Sequence, residues 1–215
     1  MNFVDTRDQL VNIAQIVRRC PTITLMRAFT KAYRDWAGQT QYIRQPIAGE
    51  TTANVREYAL GSDPYQDIVA VFAVQASILN GGTMQYWPLV PSDPSYFNPN
   101  TNAQQPRRYA YIPQAQIALD PIPDVVYNLL VTVITQPKEG AISIPETALI
   151  KYRSGIESGA LAYLHSIPGQ PWSSPVLAEA RRREFQSSVN NARAEVQRGF
   201  NTGSVRVMPR AFVRR

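Results

Sequence analysis

The side chains that do chemistry are scarce in this chain. His165 is its only imidazole and Cys20 its only thiol, and neither stands in a nucleophile elbow, a glycine-rich phosphate loop or a multi-ligand metal pattern. A histidine acting as a base would need partners from distant sequence. Near the end of a helix it reads instead as a polar residue whose positive form the helix dipole favours. A single cysteine excludes an intrachain disulfide and a thiolate cluster, fits a reducing compartment and suits a small core residue. Asp120 and Asp124 flank Pro121-Ile122-Pro123, and Glu139 and Glu146 surround the next turn. That is turn and cap chemistry rather than an acid–base pair. The expectation is a non-enzymatic protein with no catalytic, cofactor-binding or metal-binding residue and no cofactor.

The cations and aromatics suggest surfaces instead. Arg181-Arg182-Arg183 point in different directions around a helix, so they cannot share one target. They read as a solvated helix start, and positive charge there opposes the helix dipole and invites an acidic partner. Tyr86, Trp87, Tyr96, Phe97, Tyr109 and Tyr111 accompany Arg107 and Arg108; stacking on bases is one use for them, but sheet core or subunit contact is the better fit. The formal net charge is +6, and Arg206, Arg210, Arg214 and Arg215 lie in a tail without acids, which favours a polyanion or an acidic protein groove. A basic nucleic-acid-binding module is therefore the alternative reading.

The elements that must carry these surfaces follow from periodicity. With 215 residues, 44% of them hydrophobic, the chain can build a proper core. No apolar run is long enough to span a bilayer, and MNFVDTRDQL lacks a signal pattern, so a soluble protein with no membrane partner is expected. Thr6-Arg7-Asp8-Gln9 fits a capping box ahead of Leu10, Ile13, Ala14 and Val17. Pro21-Thr22 opens a second helix striped by Met26, Phe29, Tyr33 and Trp36. Between residues 41 and 140 the period changes: Tyr42, Val55–Leu60, Ile68–Val74, Thr83–Trp87, Tyr109–Ile112 and Val125–Ile134 read as strands of a mostly antiparallel sheet or small sandwich. The segment around Ile68–Val74 is so apolar that a short core helix is its competing reading. A long polar loop fills residues 88–106.

Helix returns after Ile144, with Pro145 suited to a first helical position and Leu149, Tyr152, Ile156, Ala160 and Tyr163 on one face. Gly155 and Gly159 cost this helix roughly 1 kcal/mol each in propensity, which makes sense where another backbone packs closely. Pro168-Gly169 stops it. Trp172 then serves as an apolar plug, Ser174 as a cap and Pro175 as a first-turn residue, and Phe185 lies on the apolar face of the last helix. The expected fold is α+β: a four-helix bundle made by the N- and C-terminal helix pairs, with an inserted antiparallel β-sheet lobe and an extended C-terminal arm. The divisions are 1–40, 41–140, 141–200 and 201–215.

Tyr152-Arg153, Ile156, Gly159-Ala160-Leu161, Leu164, Pro168-Gly169, Trp172, Pro175, Leu177-Ala178 and Phe185 resemble the C-terminal helix pair of tailed-phage head-to-tail adaptors, also called connector or tail tubular proteins. Cys20-Pro21, Ala28-Phe29, Tyr33 and Trp36 are similar to the first helix pair of that group. The resemblance covers both ends well and the middle loosely. It implies a virion structural protein, made in the host cytoplasm and placed at the head–tail junction as one subunit of a twelve-fold ring. Its implied partners are further copies of itself, the portal protein, a downstream tail or nozzle protein, and the DNA passing through the channel. The C-terminal arm would dock into the portal. Val205, Arg206, Val207, Arg210, Phe212, Val213, Arg214 and Arg215 alternate apolar anchors with charge in a way that suits an extended segment added to a partner.

Overall fold

A computed structural model of the chain describes residues 2–61, 63–98 and 102–199. Its nine strands among the described residues are β1 (Phe3–Asp5), β2 (Arg44–Glu50), β3 (Glu57–Ala59), β4 (Gln66–Asn80), β5 (Thr83–Pro91), β6 (Arg108–Ile112), β7 (Gln116–Asp120), β8 (Asn128–Pro137) and β9 (Ser143–Pro145). The α-helices are α1 (Val11–Ile16), α2 (Thr22–Thr40), α3 (Glu146–His165) and α4 (Pro175–Gln197).

The expected four-helix bundle with an inserted sheet lobe is not what forms. The class is α+β, but sheet dominates: seven strands make one curled sheet in the order β2-β8-β4-β5-β6-β7-β3, and β1 pairs with β9 in a second, two-stranded sheet. The first helical wall fails because its start is drawn into the small sheet. Phe3–Asp5 pair antiparallel with Ser143–Pro145, and Thr6 is buried, its backbone N–H donating to the Ile142 carbonyl at 2.8 Å and its hydroxyl to the Ala141 carbonyl at 3.0 Å. Committed to these distant carbonyls, Thr6 makes no side-chain cap. α1 runs only from Val11 to Ile16, about 9 Å of helix, too short to be a bundle wall. Three long helices remain. They share a core in which Phe29, Tyr33, Trp36, Ile156, Leu164 and Val189 are buried.

β4 decides the shape of the large sheet. The apolar run from Ile68 is strand rather than helix, part of 15 residues paired to both β8 and β5. Register shifts between Ile68 and Ala70 and between Val71 and Ala73 bend it, as bulges do. The curl lets Val74, Leu89, Tyr109, Ile117, Leu119, Val131 and Val133 enclose a second core, and the Tyr111 hydroxyl reaches the Ile68 carbonyl at 3.2 Å. β4 and β5 form a hairpin through Gly81 and Gly82, whose φ values of +57° and +82° suit the tight two-residue turn between twisted strands. Pairing is antiparallel except between β5 and β6.

The open edges are blunted by proline. The Thr135 amide donates to the Ile43 carbonyl and the Thr51 amide to the Tyr127 carbonyl. With the β2–β8 register, this turns the amide groups of Gln45, Ile47 and Gly49 toward β8 and puts Pro46 at an outward position, where its missing N–H leaves a gap in the edge. Pro88 does the same on β5: the Val90 amide, two residues on, faces outward to the Arg107 carbonyl at 2.9 Å. Both follow the rule that prolines in sheets sit at edges. The helical layer meets the sheet where Gly38 lies against Gln136 and Arg34 pairs with Asp67 at 3.3 Å.

Candidate functional site

The connector between α3 and α4 is tied at both ends. His165 is buried, and its Nδ1 lies 2.7 Å from the Trp172 carbonyl. A carbonyl only accepts, so Nδ1 carries the proton. The Ser174 amide donates back to the His165 carbonyl at 2.9 Å. The only imidazole therefore closes a turn rather than serving a pocket. Pro168 is exposed, Gly169 turns the chain at φ +74°, and the Ser174 hydroxyl caps α4 by accepting the Leu177 amide at 3.4 Å with Pro175 next in the helix. Trp172 is half-buried against the helical core, its indole N–H without a partner.

Along α3 the two glycines face α4. A Cβ on Gly155 would run into the Ser188 side chain, and one on Gly159 would lie 2.5 Å from the Phe185 ring and 3.1 Å from the Ala32 Cβ. The room left at Gly155 admits Ser188, whose hydroxyl accepts the Trp36 indole N–H at 3.2 Å and so links all three long helices. Polar clasps flank this seam. The Ser158 hydroxyl and Arg181 both donate to Glu184, holding its carboxyl below the usual glutamate range. Lys151 and the Tyr152 hydroxyl donate to Glu195, again lowering its pKa, with Lys151 the larger cause. Trp36, Tyr42 and Tyr152 cluster beside it, tilted or edge-on to one another, with centroids 5.2–5.5 Å apart.

The remaining sequence-predicted groups are dispersed. Asp120 is buried and paired with Arg108 at 2.7 Å, while Asp124 accepts the Tyr127 hydroxyl at 2.6 Å. Burial and that carboxylate push Tyr127 up to about 12. Arg181, Arg182 and Arg183 are neutralised on their own helix by Glu184 and Glu179. Of the aromatic set, Tyr109 and Phe97 are buried, Trp87 packs edge-on against Tyr127, and Tyr86 and Tyr96 are exposed, so they form no common platform. Pro145 is the last residue of β9, just before α3. The long loop is shortened because β5 extends to Pro91, Asp93 caps a 3-10 turn over Pro94–Tyr96 and the Trp87 indole holds the Pro106 carbonyl at 2.9 Å. The arm residues Val205, Arg206, Val207, Arg210, Phe212, Val213, Arg214 and Arg215 lie outside the described residues.

Two surfaces escaped the sequence reading although each has a sequence signal. Residues 9–34 contain five cations and no carboxylate; of these, Arg27 and Lys31 form with Ile23 an exposed stripe on α2, one turn apart, and Arg18 and Arg19 are exposed in the preceding turn. Residues 68–92 carry no charge, yet their hairpin exposes Leu79, Met84 and Tyr86. Contiguous apolar exposure of that kind marks a contact surface.

The family model described as SU10 adaptor protein matches residues 1–208, spanning the helical layer and the whole sheet. No curated protein matches the chain.

Proposed function

This chain belongs to the SU10 adaptor protein family, a phage head-to-tail adaptor family, and from that premise we propose that it is one subunit of a closed ring of twelve, seated between the portal vertex and the tail. In this reading the helical layer closes the ring, the C-terminal arm docks into the portal, the sheet lobe meets the next tail component, and the ring encloses the channel through which DNA leaves. The stretches 1–40, 41–140, 141–200 and 201–215 then have separate roles: outer helical wall, tail-facing sheet, hinge-tied inner helices, and docking arm.

The observation that carries the proposal is the difference between the two ends of the molecule. Residues 41–145 hold eight carboxylates against five cations, while the rest of the chain holds eight carboxylates against seventeen cations. The sheet end also presents an uncharged apolar hairpin. A subunit that joins two unlike partners needs two unlike surfaces, and one that binds through surfaces needs no reactive pocket. Electron microscopy of the full chain mixed with portal rings tests this: the expected result is added ring density on one face of the portal, and portals that stay bare overturn it. Binding to DNA as an isolated monomer, with affinity falling steeply as salt rises, would favour the basic nucleic-acid module instead.

A further inference from the structure

The two ends are complementary to each other as well as different. At the helical end Arg18, Arg19, Arg27 and Lys31 are exposed. They form no ion pair among the described residues, and Lys31 rests over the Tyr163 ring at 4.7 Å. Ile16 and Ile23 are 52% and 61% exposed among these cations. One carboxylate, Asp35, ends the stripe a turn beyond Lys31. β2 then leads away from the helices, about 20 Å for seven residues, to a rim formed by two loops. The Thr51 hydroxyl donates to the Val125 carbonyl, the Thr51 amide to the Tyr127 carbonyl and the Asn54 amide to the Pro123 carbonyl. This stitching sets exposed Glu50 and Asp124 beside Val55, Val125 and Val126, which are 40–55% exposed. Arg56, a cation of these loops, donates to the Asn98 carbonyl.

Resting on the adaptor reading, we infer that the basic face made by α2 and the turn before it in one copy receives the acidic rim, Glu50 and Asp124 with their three valines, of a second copy. Each patch pairs charge of one sign with exposed aliphatic side chains. The aliphatics favour a protein surface over nucleic acid, because isoleucine gains nothing against a phosphate backbone. Opposite charge fixes orientation and suppresses like-to-like contact. The two patches are different surfaces, so the contact is heterologous, and copies joined this way close into a ring when the rotation between them allows it.

Charge reversal tests the contact. In sedimentation at low salt the full-length chain is expected to self-associate and to dissociate as salt is added. The variants Arg27→Glu/Lys31→Glu and Glu50→Lys/Asp124→Lys should each associate on the order of a hundredfold more weakly while melting cooperatively, with a modest drop in melting temperature where Asp124→Lys takes the acceptor from the Tyr127 hydroxyl. Mixed in equal amounts the two variants should assemble again, since each supplies the face the other has reversed. A wild type that stays monomeric, variants that associate like the wild type, or a mixture that stays apart would each overturn the contact. Binding of the wild type to portal rings is scored separately, so loss of this interface and loss of the adaptor reading give different results.

Discussion

At the scale of single residues, the α3–α4 seam makes opposite demands of propensity and packing. Replacing Gly159 by leucine gains about 1 kcal/mol of helix propensity but drives a side chain into the Phe185 ring and Ala32. Overpacking of this kind costs about 1–3 kcal/mol, and a denaturant titration should show a net loss. A variant as stable as the parent would mean that α4 shifts freely against α3. Trp172 is half-buried, so Trp172→Ala should cost roughly 2 kcal/mol, less than the 3–5 of a fully enclosed tryptophan. Strong quenching of its fluorescence by acrylamide would contradict even that. Glu184 and Glu195 have lowered pKa values through Ser158 and Arg181 and through Lys151 and Tyr152. Such groups stabilise the fold above the ordinary glutamate value of 4.5 and lose that contribution as pH falls toward their folded values. Thermal melts at descending pH should therefore drop below about pH 4.5, and the drop should be smaller in Glu184→Gln/Glu195→Gln.

At the scale of elements, legibility depended on how far away the deciding partner lies. α2 and α4 were readable from apolar spacing and from Ser174-Pro175 because these signals are local. α1 was overestimated because Thr6 looks like a cap in sequence, whereas carbonyls more than 130 residues away take its hydroxyl and amide. β2 was missed because Pro46 and Gly49 read as turn residues; only its edge position makes proline tolerable there. β7 was missed too, since Ile117, Ala118, Leu119 and Asp120 are buried on both of its faces and no polar alternation survives. The tight turn of His165 onto Trp172 had no signal beyond a histidine near a helix end. Pro46→Val, by restoring an outward N–H on β2, should raise edge-to-edge aggregation measured by light scattering, with little change in the melting temperature. If the variant stays as disperse as the parent, something other than proline guards that edge.

At the scale of the whole molecule, the described residues contain two large cores, one helical and one inside the curl of the sheet, beside a small cluster of Phe97, Ala110 and Ala118. A chain ending at Gly199 should keep the full-length melting temperature and far-ultraviolet spectrum. The family match runs to residue 208, into the stretch where Val205 and Val207 alternate with Arg206, and the proposal gives that stretch and the residues after it the task of holding the portal. The direct measurement is co-sedimentation of portal rings with the full chain and with the chain ending at Gly199. The account predicts that the full chain pellets with portals while the folded, shortened chain remains in the supernatant; a shortened chain that pellets with portals as well as its parent would contradict it.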